Sequence, residues 1–353
     1  MKIKKLYNVI SKENNLTSVP NAFNKNDPIL VTVNVEVFNH EKYLRQCLDS
    51  ILNQKVNFNV VIHIHDDAST DSSANIIKEY EQKYPEIIFP IYQKQNVYST
   101  VQKESAVLTI QGLRVKGTYV AMCEGDDYWT DQYKLKTQVE AMNANPDAHL
   151  CLHIVEKINE STKELMCLMP DFKLKPILKP KKFISLILRK YSFQTSSYFF
   201  RASDSVEYYS ILPKFAEIMP TGDETMIMYY GSLGKTIFIN KKMSVYRKFA
   251  DGSWSVRHRQ YDSEKNKRIA QMRIDSLKEY DKFTNGLFHK QCFNRIYRVQ
   301  TSMAIKENVL SKYLEDISFK KFFVRHHPIT YFLYKHPKIR KLLRRDNKNE
   351  KTN

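Results

Sequence analysis

The chain has 353 residues, 42% of them hydrophobic, and its 56 Lys and Arg against 38 Asp and Glu give a formal net charge of +18. Length allows one large domain or a domain with an appendage, and composition allows a sizeable core. No run of about 18 apolar residues is present to span a membrane, and the five scattered cysteines (47, 123, 151, 167 and 292) fit neither a zinc or redox pair nor a disulfide framework.

The opening Met1-Lys2-Ile3-Lys4-Lys5 is basic but lacks a following apolar core, so it does not read as a signal peptide. With the reduced cysteines this predicts a cytoplasmic protein. The positive charge suits anionic partners. It is concentrated late: residues 310–353 hold 12 basic and 4 acidic side chains. No nucleic-acid motif accompanies it, so no nucleic-acid partner is expected.

Residues 1–27, polar and asparagine-rich, read as a loose N-terminal arm. Ile29–Val37 alternates, with Val31, Val33, Val35 and Val37 on one face, which predicts a strand. Asn39 is a candidate N-cap for the amphipathic helix marked by Leu44, Cys47, Leu48, Ile51 and Leu52. Val60–His65 is a second strand, running into Asp66-Asp67-Ala68-Ser69-Thr70-Asp71, and a helix follows from Ser72 to about Gln82. Ile87–Ile91 is a third, whose Pro90 suggests a sheet edge. A helix around 101–114 leads to the buried strand Gly117–Met122. This alternation predicts an α/β fold with a mostly parallel sheet covered on both faces.

The second half is less regular. Lys173–Lys182, basic and proline-containing, reads as an exposed linker. Ser196–Arg201 and Lys235–Ile239 read as strands, with a helix from Thr221 to about Gly231 between them, and the chain beyond about Ser263 reads as helical. In 319–345, aromatic residues alternate with Lys and Arg. That stretch suits either contact with an anionic membrane surface or a helix pair packed on the core with a solvated basic face.

The most informative stretch is Cys123-Glu124-Gly125-Asp126-Asp127-Tyr128-Trp129. Three acids within four residues, just past a buried strand, raise one another's pKa unless a cation is present. Mg²⁺ or Mn²⁺ suits such oxygen ligands, and a phosphate-bearing substrate would then be held through the metal. The same residues also suit a solvated acidic turn capping a helix that begins near Trp129. A second acidic pair, Asp66-Asp67, ends another strand, so both point to one crevice. Neither G-x-G-x-x-G nor G-x-x-x-x-G-K-[ST] occurs, which excludes a glycine cradle for phosphates. Asp223 reads either as a helix N-cap or as a general base. His63 and His65 share a strand face but lack a third ligand, so they read as ordinary strand histidines.

Val35-Glu36-Val37-Phe38-Asn39-His40-Glu41-Lys42-Tyr43-Leu44, the Asp66–Asp71 motif and Glu124-Gly125-Asp126-Asp127 together resemble family 2 glycosyltransferases over about residues 28–150. A weaker likeness continues through Gly222-Asp223 to Ser244-Val245-Tyr246-Arg247 and Trp254-Ser255. The resemblance implies a GT-A domain over 28–255 followed by a basic helical region, 256–353. It also implies inverting transfer from a nucleotide-diphosphate sugar, a UDP-sugar being favoured, to a hydroxyl of a cell-surface polysaccharide or lipid-linked glycan. It assigns Asp223 as base, Asp126 and Asp127 to a divalent metal, and Val35, Phe38, Asp67, Asn96, Glu124, Arg247 and Trp254 to the nucleotide-sugar. The alternative is an inactive nucleotide-sugar-binding or scaffold protein. Two departures stand out: Glu124 replaces the usual first aspartate of the D-x-D, and Glu36 stands where many relatives have proline.

Overall fold

The structure, a computed structural model, describes residues 16–96, 110–189, 193–251, 253, 256, 263–306 and 309–335. Strand β1 (Ile29–Val37) keeps the predicted bounds, with its four valines buried on one face and Thr32, Asn34 and Glu36 on the other. Helix α1 (Leu44–Leu52) lays Leu44, Cys47, Leu48, Ile51 and Leu52 in the same apolar core as the valines. It begins five residues after Asn39, which is not its N-cap. Asn39 turns the chain with a φ of +57°, and its Oδ1 accepts the Thr70 N–H at 2.8 Å. Strand β2 (Asn59–Asp66) is buried throughout and runs parallel to β1. After α2 (Ser73–Lys83), β3 (Ile88–Tyr92) pairs with β2 and forms the sheet edge, where Pro90 is tolerated.

Strand β4 (Tyr119–Glu124) lies parallel on the other side of β1, so Glu124 stands opposite Glu36. No helix begins at Trp129: β5 (Tyr128–Trp129) is drawn into antiparallel pairing, and α3 (Lys134–Asn143) follows. A hairpin comes next, β6 (Ala148–Asn159) and β7 (Leu165–Met169). The expected exposed linker is ordered. Ile177–Leu178 forms β8, and α4 (Pro180–Arg189) buries Phe183, Ile184, Ile187 and Leu188, an apolar face that its lysine-rich opening masks in composition. Then come β9 (Phe199–Arg201), α5 (Ala202–Ile211), α6 (Lys214–Ile218), α7 (Gly222–Leu233) and β10 (Lys235–Lys248). The helical end comprises α8 (Ser263–Phe283), α9 (His289–Lys306), α10 (Ile317–His326) and α11 (Pro328–Lys335).

The main sheet runs β8-β10-β6-β9-β4-β1-β2-β3 and is mixed, with four of these seven pairings parallel. The parallel pattern holds for β4-β1-β2-β3 and for β10 with β6, but the short β9 is antiparallel to both β4 and β6, between which it lies. One face buries Val31, Val33 and Leu48 in a core with α1, α2 and α3. The other buries Phe183, Phe200, Tyr230, Leu277 and Cys292 with α4, α7, α8 and α9. Residues 16–27 are docked rather than loose: Thr17–Ser18 pairs with Lys55–Val56, and the Asn24 and Asn59 amides exchange hydrogen bonds. Near the far end, α10 and α11 pack a small core around Phe319 and Phe323.

Candidate active site

Strands β1, β2 and β4 are parallel, so their carboxyl ends open on one edge, where the acidic motifs collect. Glu124 is the last residue of β4. Burial, then the Asp126 carboxylate and then that of Asp223, push its carboxyl up to about 8. The charge of Asp223, in the first turn of α7, thus reaches the acidic loop from a distant part of the sequence. Asp223 is not an N-cap; Thr221 holds that position, and Asp223 Oδ1 accepts the Glu224 N–H at 2.8 Å.

Asp126 is buried, and its Oδ1 lacks a hydrogen-bond partner among the described residues. Its Oδ2 lies 3.8 Å from His40 Nε2. Gly125 allows this approach, since a Cβ there would stand 2.8 Å from His40 Nδ1 and 3.2 Å from the Glu36 carbonyl oxygen. Asp127 points inward: its Oδ1 accepts the Arg247 N–H at 3.0 Å, and burial pushes its carboxyl up. Arg247 is buried between the Tyr128 and Tyr43 rings, 4.4 and 5.1 Å from their centres. It donates to the Asp126 carbonyl at 2.5 Å and to Gln46, and its Nε lies 3.4 Å from Glu160. Arg247 thus fastens the acidic loop to β10. Beside it opens a polar recess of about 390 Å³ that Lys42, Lys163 and Asp251 also line.

Asp67 directly follows β2, donating its N–H to the Val37 carbonyl at 2.9 Å while its own carbonyl accepts the Asn96 amide at 3.1 Å. Phe38 sits half-buried just past β1. Val35 is not brought to the crevice: its side chain is fully buried in the core on the face away from Glu36. Trp254 lies outside the described residues. His63 and His65 are buried and neutral, with burial lowering each to about 4. Among the described residues, no three His, Cys, Asp or Glu side chains converge as a complete protein cage for a metal ion.

Comparison with known proteins accords with this geometry. The family model described as "Glycosyl transferase family 2" matches residues 32–206, from β1 through β4 and the acidic loop into α5. Through this segment the chain belongs to glycosyl transferase family 2. An uncharacterised protein of Mycobacterium tuberculosis is 32% identical over 218 residues, which is 62% of this chain and 58% of that protein, so the chain spans well under two thirds of that relative. The putative teichuronic acid biosynthesis glycosyltransferase TuaG of Bacillus subtilis is 34% identical over 113 residues, covering 32% of this chain and 42% of TuaG. Among solved structures, S. aureus TarS 1–349 in complex with UDP-GlcNAc superposes with a TM-score of 0.56 at 15% identity, covering 84% of this chain and 81% of TarS 1–349. That likeness establishes a GT-A-like fold for this family 2 chain.

Sequence reasoning missed two features of this crevice. His40 follows the motif residue Asn39 directly, and that adjacency was the available signal. The neutral state of Glu36 had none. Both its carboxylate oxygens are buried without a well-formed hydrogen bond among the described residues. Burial, then Glu124, push its carboxyl up to about 8, and the approaching Gln111 side chain offsets little of this.

Proposed function

We propose that this chain is a metal-dependent glycosyltransferase that moves a sugar from a nucleotide-diphosphate donor to a hydroxyl of a glycan acceptor, with inversion. One observation carries the reading. Asp126, with a buried oxygen lacking a partner among the described residues, and Asp223, from a distant helix, both raise the Glu124 carboxyl by their charge at the carboxyl edge of the sheet. Hard divalent cations in nucleotide sites are commonly held by one or two carboxylates, with substrate phosphates completing the shell. A cation shared with the donor fits this pattern, since the described residues alone form no full protein cage, and Asp126 is the residue that would hold it.

Bound there, Mg²⁺ or Mn²⁺ would offset charge on the departing diphosphate. Asp67 and Phe38, at the ends of β2 and β1, flank the position for the base. The Asp223 carboxylate takes the proton of the acceptor hydroxyl and holds it at its oxygen while the new bond forms on the opposite side of the sugar from the leaving group. Arg247 keeps the Asp126–Asp127 loop against β10 and leaves Asp127 oriented inward.

The test is calorimetric titration of UDP, GDP, CMP and dTDP with Mn²⁺ or EDTA, UDP first because TarS, of similar fold, was solved with UDP-GlcNAc. Metal-dependent binding of one diphosphate, lost in Asp126→Ala, supports the donor site. Binding without turnover of the matching sugar donor supports an inactive binding protein instead. No binding by the folded protein refutes the reading.

The described helices are each too short or too polar to cross a membrane. We place an anionic membrane surface at α10 and α11, as befits an enzyme acting at the inner face of the membrane on a lipid-linked glycan. Ile317, Lys320, Lys321 and Val324 share one exposed face of α10, and Ile329 and Phe332 are exposed on α11. Flotation with anionic vesicles, weakened by Ile329→Ser with Phe332→Ser, supports this; equal flotation of the variant, or none of the parent, refutes it.

A further inference from the structure

The helical end lies beyond the residues the family model matches, yet it grips the turn that carries the candidate base. Glu224 follows Asp223 directly and is 5% exposed. Its Oε2 accepts Arg273 Nη2 at 2.9 Å and Arg273 Nε at 3.2 Å. Arg273 belongs to α8, whose seat on the domain is set independently. Ile274, Leu277 and Tyr280 are buried, Ser276 Oγ donates to the Phe215 carbonyl at 2.7 Å, and Tyr280 Oη donates to the Met228 carbonyl of α7 at 3.1 Å. A second arginine, Arg295 of α9, adds positive charge toward Glu224.

A buried carboxylate without a partner is costly, and a guanidinium that donates twice to one of its oxygens both neutralises that carboxylate and restricts its direction. Here that partner comes from an element anchored at two further points. Glu224 is therefore held in place, and its N–H, donated to Asp223 Oδ1 at 2.8 Å, constrains the adjacent carboxylate in turn.

We propose that Arg273 is a positioning residue for the transfer reaction, fixing the first turn of α7 through Glu224 and so aiming the Asp223 carboxylate into the crevice. This rests on the reading of Asp223 as the base. It makes the helical end part of the catalytic architecture, because Arg273 supplies the clamp from beyond the residues the family model matches. Lysine, a single point charge, restores the neutralisation but only part of the direction.

The experiment uses the full chain with the sugar donor whose diphosphate binds. Arg273→Ala is expected to lower kcat 10- to 100-fold with the donor KM changed less than threefold, Arg273→Lys to recover part of the loss, and the exposed Lys278→Ala to match the parent. Mn²⁺-dependent UDP binding and the thermal melt report on folding separately. In an Asp223→Asn background, Arg273→Ala should cost no further activity. If Arg273→Ala fails to fold, the Glu224→Gln variant, which keeps the shape but not the charge, gives the same kcat reading. Unchanged kcat in both Arg273→Ala and Glu224→Gln, a loss equal in kcat and 1/KM, or an additive loss in the Asp223→Asn background overturns the inference while the base reading stands. Full turnover by Asp223→Asn overturns both.

Discussion

Glu36→Gln is expected to remove a pH-dependent destabilisation that the parent chain carries. Glu36 sits on β1 with both carboxylate oxygens buried, opposite Glu124 on one side and His65 on the other. Its carboxyl ionises near 8 in the folded chain against 4.5 as the ordinary value. A raised carboxyl pKa means that the folded state binds the proton more tightly than the unfolded state. The associated stability is complete below about 4.5 and is lost as pH rises through 8. At about 1.4 kcal/mol per pKa unit, the loss between pH 5 and pH 8 is about 3 kcal/mol. Glutamine keeps the shape and cannot ionise. Its amide finds partners nearby, since Gln111 Oε1 can accept and the neutral His65 ring has one acceptor nitrogen and one N–H, all buried without partners among the described residues. Melts of parent and variant from pH 5 to pH 8 should therefore diverge, the variant gaining about 3 kcal/mol, or roughly 6 °C at about 2 °C per kcal/mol for a chain of this size. A Tm difference independent of pH would refute the reasoning.

Lys134 predicts the opposite slope. It is fully buried 4.0 Å from the Trp129 ring centre, and burial lowers its ammonium to about 7. The folded state then binds fewer protons than the unfolded state, so stability rises with pH from about 7 toward 10.5. The stability of Lys134→Met relative to the parent should be greatest below pH 7 and shrink toward pH 10; parallel melt curves would contradict this. Gly125→Ala should cost about 1–3 kcal/mol in urea unfolding and weaken diphosphate binding, because the new methyl meets His40 and the β1 backbone; unaltered binding and stability would show that the loop yields freely. Excess EDTA should abolish diphosphate binding in the parent while leaving its melt without nucleotide unchanged, because Asp126 alone gives the cation little hold without the diphosphate; a large drop in that melt would instead mark a resident structural metal.

Local pattern was readable wherever local spacing decides structure. The valine alternation of β1 and the i, i+3, i+4 spacing of α1 appear with the bounds their side chains dictate. Pro90 marked an edge because a missing donor is tolerated there. The acidic motifs at the ends of β2 and β4 were legible for the same reason, since a strand's end and its following polar turn are neighbours in sequence.

What depended on distant partners was not legible. The parallel order breaks between β4 and β6 because three residues, Phe199–Arg201, lie between them, a choice that no property of those residues alone expresses. Val35, grouped with the donor site by its motif, faces the core because strand register gives alternate residues to opposite faces. Helix α4 was hidden because the basic, proline-containing stretch 173–182 runs into its first turn and ends just before its apolar residues begin. The sequence by itself determined the alternating first half and the acidic residues available to a site. Tertiary structure alone decided that Glu36 stays protonated, that Asp127 turns toward Arg247, and that Arg273 reaches Glu224 across 49 positions of chain. Burial and charge pairing are properties of assembled surroundings, and they arise only when elements far apart in sequence pack together.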